Sequence, residues 1–182
     1  MDRPTFMKGE KVRLTPVDMD DIETYYRWFN NPVIRRNLLQ FRPITKEEEK
    51  EFLEKALKSK DWVMFGIAGI ESDRLIGNIS LMKINTIDRS AELGIALGDE
   101  DYLGKGFGTD AVNILLRYGF NTLNLQRIYL RVLDFNERAL KSYEKSGFRE
   151  EGRQRRAHFI EGKYCDVIMM SILDDEWRKR KK

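Results

Sequence analysis

The residues with the clearest capacity for chemistry lie in Asp101-Tyr-Leu-Gly-Lys-Gly-Phe-Gly-Thr-Asp-Ala111, where Gly104, Gly106 and Gly108 alternate with Lys105 and Phe107. Glycine lets a backbone take positive φ and come close to a ligand. The apolar run Leu93-Gly-Ile-Ala-Leu97 before the loop reads as a buried strand, and a helical pattern follows at once. Strand, glycine turn and helix N-terminus together offer unpaired N–H groups and the positive end of a dipole to an anion. The loop therefore reads as a cradle for the pyrophosphate of a large cofactor. A Walker loop needs Gly-x-x-x-x-Gly-Lys-Ser/Thr and a dinucleotide fingerprint needs Gly-x-Gly-x-x-Gly; the Gly-x-Gly-x-Gly found here fits neither. Nucleotide hydrolysis is not expected.

Two single residues invite a chemical role and are assigned a plainer one. Cys165 is the only cysteine, so no internal disulfide forms, and it reads as a small buried hydrophobe in a cytoplasmic protein. His158 is the only histidine and falls in the terminal hairpin, away from the glycine loop, which favours structural or surface use.

The elements that must position the loop follow from periodicity. Lys11–Pro16 alternates Val12 and Leu14 with charges, as a first strand would. Asp18 and Asp20 can cap a helix to about Phe29, with Ile22, Tyr25, Tyr26 and Phe29 on its apolar side, and Asn30-Asn-Pro32 stops it. Thr45 stands three residues before Glu48, as in a capping box, and opens a helix to about Ser59. Its inner face is predicted to be Phe52, Leu53, Ala56 and Leu57, and the acids of Glu47–Glu51 an exposed first turn. Trp62–Ile70 and Leu75–Ile84 read as strands joined by Glu71-Ser-Asp-Arg, followed by a strand at Ser90–Leu97.

After the glycine loop, Val112, Leu115, Leu116, Gly119 and Leu123 keep helical spacing. Arg127–Val132 alternates again, with Ile128, Leu130 and Val132 on one face. Asn136 can cap a helix over Glu137–Ser146, which Gly147 ends. Phe148–Arg156 and Tyr164–Leu173 close the chain as two strands about a Glu161-Gly162 turn. The order β-α-α-β-β-β-α-β-α-β-β describes an α+β (mixed α/β) protein with a central mixed sheet flanked by helices.

A chain of 182 residues fits one domain, 1–182, whose end from about 175 is a basic tail. Its 41% hydrophobic and 35% charged content are those of a soluble globular protein. No apolar run approaches a membrane span, and the start MDRPTFMKGEKVRL lacks a signal-peptide core. The net charge of +3 is too small and dispersed to argue for nucleic acid, and no metal site is expected.

Together these stretches resemble the GNAT family of N-acetyltransferases, in the branch holding ribosomal-protein N-terminal and spermidine acetyltransferases. Arg13-Leu-Thr-Pro-Val and Trp28-Phe-Asn-Asn-Pro32 are similar to that branch's first strand and helix. The family's acetyl-CoA loop, Arg/Gln-x-x-Gly-x-Gly/Ala, is matched by Gly106 and Gly108, with Leu103 departing at the first position. Asn136-x-x-Ala139-x-x-x-Tyr143-x-x-x-Gly147-Phe148 matches a second motif about thirty residues on. The resemblance implies the GNAT fold, acetyl-CoA as donor, and direct attack of a substrate amine on the thioester.

It also implies roles. Backbone groups of Leu103, Gly104, Lys105, Gly106, Phe107, Gly108 and Thr109 would carry the phosphates, while Ile95, Ala96 and Leu97 would hold the pantetheine arm like an added strand. Asn136 and Ala139 would border that arm. Tyr143 would protonate the departing CoA sulfur, a phenol of pKa about 10 facing a thiol near 8.5. The attacking amine must be neutral, and Glu92, at the edge of the strand entering the loop, is the candidate base through water. An exposed carboxylate or substrate contact is the alternative for Glu92.

The acceptor is less legible. Glu47, Glu48 and Glu49 lie where relatives border the acceptor site and would suit a polyamine, although such a run is usually a solvated helix face. Arg35, Arg36 and Arg42, with Arg153, Arg155 and Arg156, would repel a polycation and suit an acidic peptide or the 3′-phosphate of CoA. A peptide or protein N-terminal α-amine is therefore the expected acceptor; polyamines, aminoglycosides and amino sugars stay open, as does a non-catalytic acyl-CoA-binding module. Relatives suggest a homodimer.

Overall fold

A continuous apolar run such as Val63–Gly69 suits the middle of a sheet covered on both faces, whereas the polar Arg149–Ile160 stays largely exposed at its edge. A computed structural model describes residues 3–38 and 42–180. Within them lie β1 (Met7–Lys8), β2 (Val12–Pro16), α1 (Ile22–Asn30), α2 (Pro32–Arg35), α3 (Lys46–Lys58), β3 (Val63–Gly69), β4 (Leu75–Asn85) and β5 (Ser90–Leu97). Then come α4 (Phe107–Asn121), β6 (Arg127–Leu133), α5 (Glu137–Ser146), β7 (Arg149–Ile160), β8 (Lys163–Leu173) and α6 (Asp174–Lys179). The eight strands form one sheet in the order β1-β2-β3-β4-β5-β6-β8-β7, and only β5 and β6 pair in parallel.

The main core forms where α4 lies on the sheet. Val112, Leu115 and Leu116 meet Ile79, Leu81, Ile128 and Leu130, all buried. A second cluster, Tyr25, Leu53, Ala56, Met64 and Leu75, joins α1 and α3 to β3 and β4. The Thr45–Glu48 capping box forms in both directions, at 3.1 and 2.9 Å. Asn136 caps α5 by accepting from the Ala139 N–H at 3.2 Å, and Gly147 ends it at φ 100°.

Three elements go beyond the sequence reading. β1 has only two residues, too few for a period, and α2 starts where α1 was expected merely to stop. Asn31 caps α2 by accepting from Val33 N, and Pro32 fits the first turn because it has no N–H to leave unpaired. α6 is anchored by buried Trp177 against Phe120.

The inner face of α3 needs correction. Leu53 and Ala56 are buried, but Phe52 and Leu57 are 42% and 46% exposed. The face that turns inward carries Glu49 instead, only 2% exposed, so the Glu47–Glu51 acids are not uniformly a solvated turn.

Candidate active site

The site exists because two neighbouring strands part company. β5 pairs with β6 only from Ser90 to Glu92, opposite Arg127 to Tyr129. β5 continues along β4 to Leu97, while β6 continues along β8 to Leu133. Beyond Glu92, the edge of β5 that faces β6 has no strand partner, so its backbone groups are open to an extended ligand arm. The splay widens into a cavity of about 770 Å³.

One wall is the glycine loop. Gly104 and Gly106 have φ of 74° and 87°, a region that side-chain-bearing residues avoid. Gly106 is the N-cap of α4, and the first helical bond runs from Asp110 N to Gly106 O at 3.0 Å. The N–H groups of Phe107, Gly108 and Thr109 precede that bond and are left for an anion. Across the gap, Thr109 Oγ1 and Ser142 Oγ share a hydrogen bond of 2.8 Å, which fixes the start of α4 to α5.

Of the residues assigned by sequence, Glu92, Ile95, Ala96, Leu97, Leu103, Gly104, Gly106, Gly108, Thr109, Asn136, Ala139 and Tyr143 all line this cavity. Lys105 and Phe107 do not. The Phe107 ring turns away to pack edge-on against Tyr102, at 4.9 Å between centroids. Basic Arg138, Lys141 and Lys145, one face of α5, border the cavity as well and went unnoticed in the sequence. His158 and Arg153, Arg155 and Arg156 lie outside it on β7.

Tyr143 is 8% exposed, and burial pushes its phenol up to about 12, so it keeps its proton at neutral pH. Glu92 is 4% exposed and doubly engaged, accepting from Lys83 Nζ at 2.7 Å and from Arg131 Nε at 2.8 Å. Burial alone would raise its carboxyl; the two cations outweigh that and hold it below the ordinary carboxylate range.

The opposite end of the cavity is built from different residues. Phe29, Ile44, Phe52, Trp62 and Met64 line it, with Glu48 and Glu49 of α3. Glu49 Oε1, Trp62 Nε1 and Asn78 Nδ2 are buried there without a hydrogen-bond partner in the protein. Burial pushes the Glu49 carboxyl up to about 7. Arg42 pairs with Glu48 at 2.9 Å, and Arg36 pairs with Glu161 at 3.5 Å while lying over the Phe135 ring. Across the sheet, Met64 registers with Ser80 and Ser80 with Gly94, a row leading from the α3 side to the splayed strand.

The open β5 edge, the positive-φ glycines and the free helix N–H groups fit a pyrophosphate carrying a pantetheine arm. The acetyltransferase (GNAT) domain family matches residues 11–149. A spermidine N(1)-acetyltransferase of Vibrio cholerae is 44% identical over 106 residues, 58% of this chain and 61% of that enzyme. One from Escherichia coli is 30% identical over 169 residues, covering 93% of this chain and 89% of its own. The crystal structure of spermidine N-acetyltransferase from Vibrio cholerae in complex with CoA and spermine has a TM-score of 0.85 at 32% identity, over 92% of this chain and 98% of that one.

Proposed function

This chain belongs to the GNAT acetyltransferase family, acetyl-CoA-dependent enzymes that acetylate amines, and we propose that its acceptor is a polyamine of the spermidine type. The observation that carries this reading is Glu49. A carboxylate oxygen without a partner, buried in an apolar arm, is costly unless a cation comes to meet it. A chain of methylenes bearing ammonium groups satisfies both features at once, its carbons lying along Phe52, Trp62 and Met64. The two relatives named for spermidine and the neighbour bound to CoA and spermine support the same class. A peptide N-terminus, expected from the arginines, loses that support because Arg42 and Arg36 are paired with carboxylates and Arg153, Arg155 and Arg156 lie outside the cavity.

Acetyl-CoA supplies an activated thioester. The open edge of Leu93–Leu97 orients its arm, and the loop N–H groups hold its phosphates. Tyr143 keeps a proton on its phenol oxygen and yields it only as the sulfur takes on charge. Glu92 acts through its two ion pairs, to Lys83 and to Arg131 at the cavity wall; with both oxygens engaged it is a poor proton acceptor. Met64, which shares the α3 end of the cavity with Glu49, lies two strand spacings or ~10 Å from Gly94 of β5, so Glu49 is assigned to a remote ammonium rather than to the attacking amine.

The test is a panel of amines with acetyl-CoA, read as thiol release. Spermidine or spermine should show the highest kcat/KM, a monoamine such as butylamine a much lower one. A peptide α-amine outrunning every polyamine would overturn the reading.

A further inference from the structure

The gap between β5 and β6 closes at Glu92, the last residue of β5 to pair with β6, opposite Tyr129. Two positions beyond Tyr129, and so on the face of the sheet that carries Glu92, stands Arg131. Both side chains line the cavity. Arg131 Nε donates to Glu92 Oε1 at 2.8 Å, which draws the guanidinium back over the closed end of the gap. The anchor has little freedom, because Glu92 is buried and its other oxygen is held by Lys83. That contact uses one of the five N–H donors of a planar fork. Nη1 and Nη2 make no hydrogen bond among the described residues, and the side chain is 39% exposed. Their direction is therefore set while their partners are still to come.

An arm that enters from the N-terminus of α4 meets the open edge of β5 at Leu97 and runs towards Glu92, five residues or roughly 17 Å away. The end of the arm far from the phosphates thus comes to the closed end of the gap. Arg131, Val132 and Leu133 are the β6 residues that line the cavity; Arg131 stands nearest that end and alone carries a donor side chain. On the reading of this chain as an amine acetyltransferase, we propose that Arg131 is a catalytic residue whose free guanidinium N–H groups meet the acyl oxygen of the thioester. As the lone pair of the amine forms the C–N bond, the C=O π pair moves onto that oxygen, and the nitrogen sheds a proton to water. The pair returns as the C–S bond breaks and the sulfur takes its proton from Tyr143. A cation fixed at the oxygen helps most while the charge is there. The same cation disfavours an ammonium at this end, so a polyamine places its neutral nitrogen here and a charged one near Glu49.

The test is the infrared spectrum of acetyl-CoA labelled with ¹³C at the carbonyl, bound to the protein without an acceptor. The carbonyl stretch should fall below that of the free thioester in the wild type, and Arg131→Met should return it towards the free position. Arg131→Met should also lower kcat by about 10²- to 10³-fold, as for one lost oxyanion donor. Its affinity for acetyl-CoA should drop about threefold, while CoA, which has no acyl oxygen, stays within about twofold. Arg131→Lys keeps the charge and the pairing with Glu92 but not the fork; it should retain part of the band shift and lose about tenfold in kcat, and it carries the test if Arg131→Met does not fold. A carbonyl band that neither variant moves overturns the proposal, as does an equal loss of CoA and acetyl-CoA affinity. A raised KM for the amine at unchanged kcat and unchanged band also overturns it, and would assign Arg131 to the acceptor. The band is read without an amine, so it judges Arg131 even if the wild type turns over no polyamine.

Discussion

The donor and acceptor ends of the cavity are made of different material. The end assigned to the donor offers backbone: the open edge of Leu93–Leu97, the first N–H groups of α4 and two glycines at positive φ. The end proposed for the acceptor offers side chains, Glu49 and Glu48 among Phe29, Phe52, Trp62 and Met64. Backbone recognition depends on chain geometry and tolerates substitution where only side chains change. Side-chain recognition is set residue by residue. A scaffold built this way can keep one donor while its acceptor changes, and the separation makes the two ends independently breakable.

Tyr143→Phe should produce the largest effect. Removing the proposed proton donor is expected to lower kcat by about 10²- to 10⁴-fold while CoA affinity stays within about twofold, since the ring and its edge-on contact with Phe148 remain. Turnover of spermidine under saturating donor, together with a CoA titration, checks it. Unchanged turnover would remove Tyr143 from the chemistry, and lost CoA affinity would mean that the ring shapes the donor end instead.

Glu49→Gln probes the other end. It should raise KM for spermidine about tenfold and leave CoA binding unaltered, as expected for one lost ion pair. Stability should respond too, with a definite sign. A folded-state value of about 7 lies above the unfolded carboxylate's, so the folded chain holds this proton more tightly. Wild-type stability is therefore undiminished by this group below the unfolded value and declines as pH rises towards 7, by about 3 kcal/mol at most. Glu49→Gln should melt higher than wild type at pH 8 and lose that advantage at pH 5. The opposite order would mean that Glu49 is already paired in the free protein.

The same contrast explains what could be read from the sequence. Gly104, Gly106, Asn136, Gly147 and the Thr45–Glu48 box announce themselves because backbone geometry demands particular residue types at fixed spacings. The backbone geometry of the glycine loop and of the α5 cap was legible for that reason. Glu49 was not, because four acids in five positions look like a solvated turn; which of them faces inward depends on how α3 rolls onto β3, a tertiary outcome. Phe52 and Leu57 were misplaced by the same roll. The arginines weigh less than their number suggests because counting charges ignores pairing: Arg42 meets Glu48, and Arg36 meets Glu161, a residue that only the fold brings to it.

Gly106→Ala asks whether the donor end is truly a matter of backbone. At φ 87° a Cβ costs about 1–2 kcal/mol, yet its nearest neighbour would be Lys11 Nζ at 3.6 Å, so space is not the obstacle. Strain alone should then weaken CoA about tenfold, with KM for spermidine little changed. Equal loss at both ends would show that the loop also shapes the acceptor arm.

The smallest expected effect tests the seam between the two motifs that build the donor end. Thr109 Oγ1 and Ser142 Oγ bond at 2.8 Å, tying the first turn of α4 to α5 one residue before Tyr143. A neutral hydrogen bond in a half-buried place contributes about 1 kcal/mol, so Thr109→Val should weaken CoA only a few-fold. Valine keeps the branched shape and removes the hydroxyl, and Ser142→Ala removes the partner. If the bond acts through position alone, the double variant should be no worse than either single one, because each already breaks the same contact. Additive losses would instead mean that each hydroxyl reaches the ligand by itself. A parallel rise in KM for spermidine would show the relative placement of α4 and α5 being felt at Glu49, and the two ends would then have to be treated as one mechanical unit.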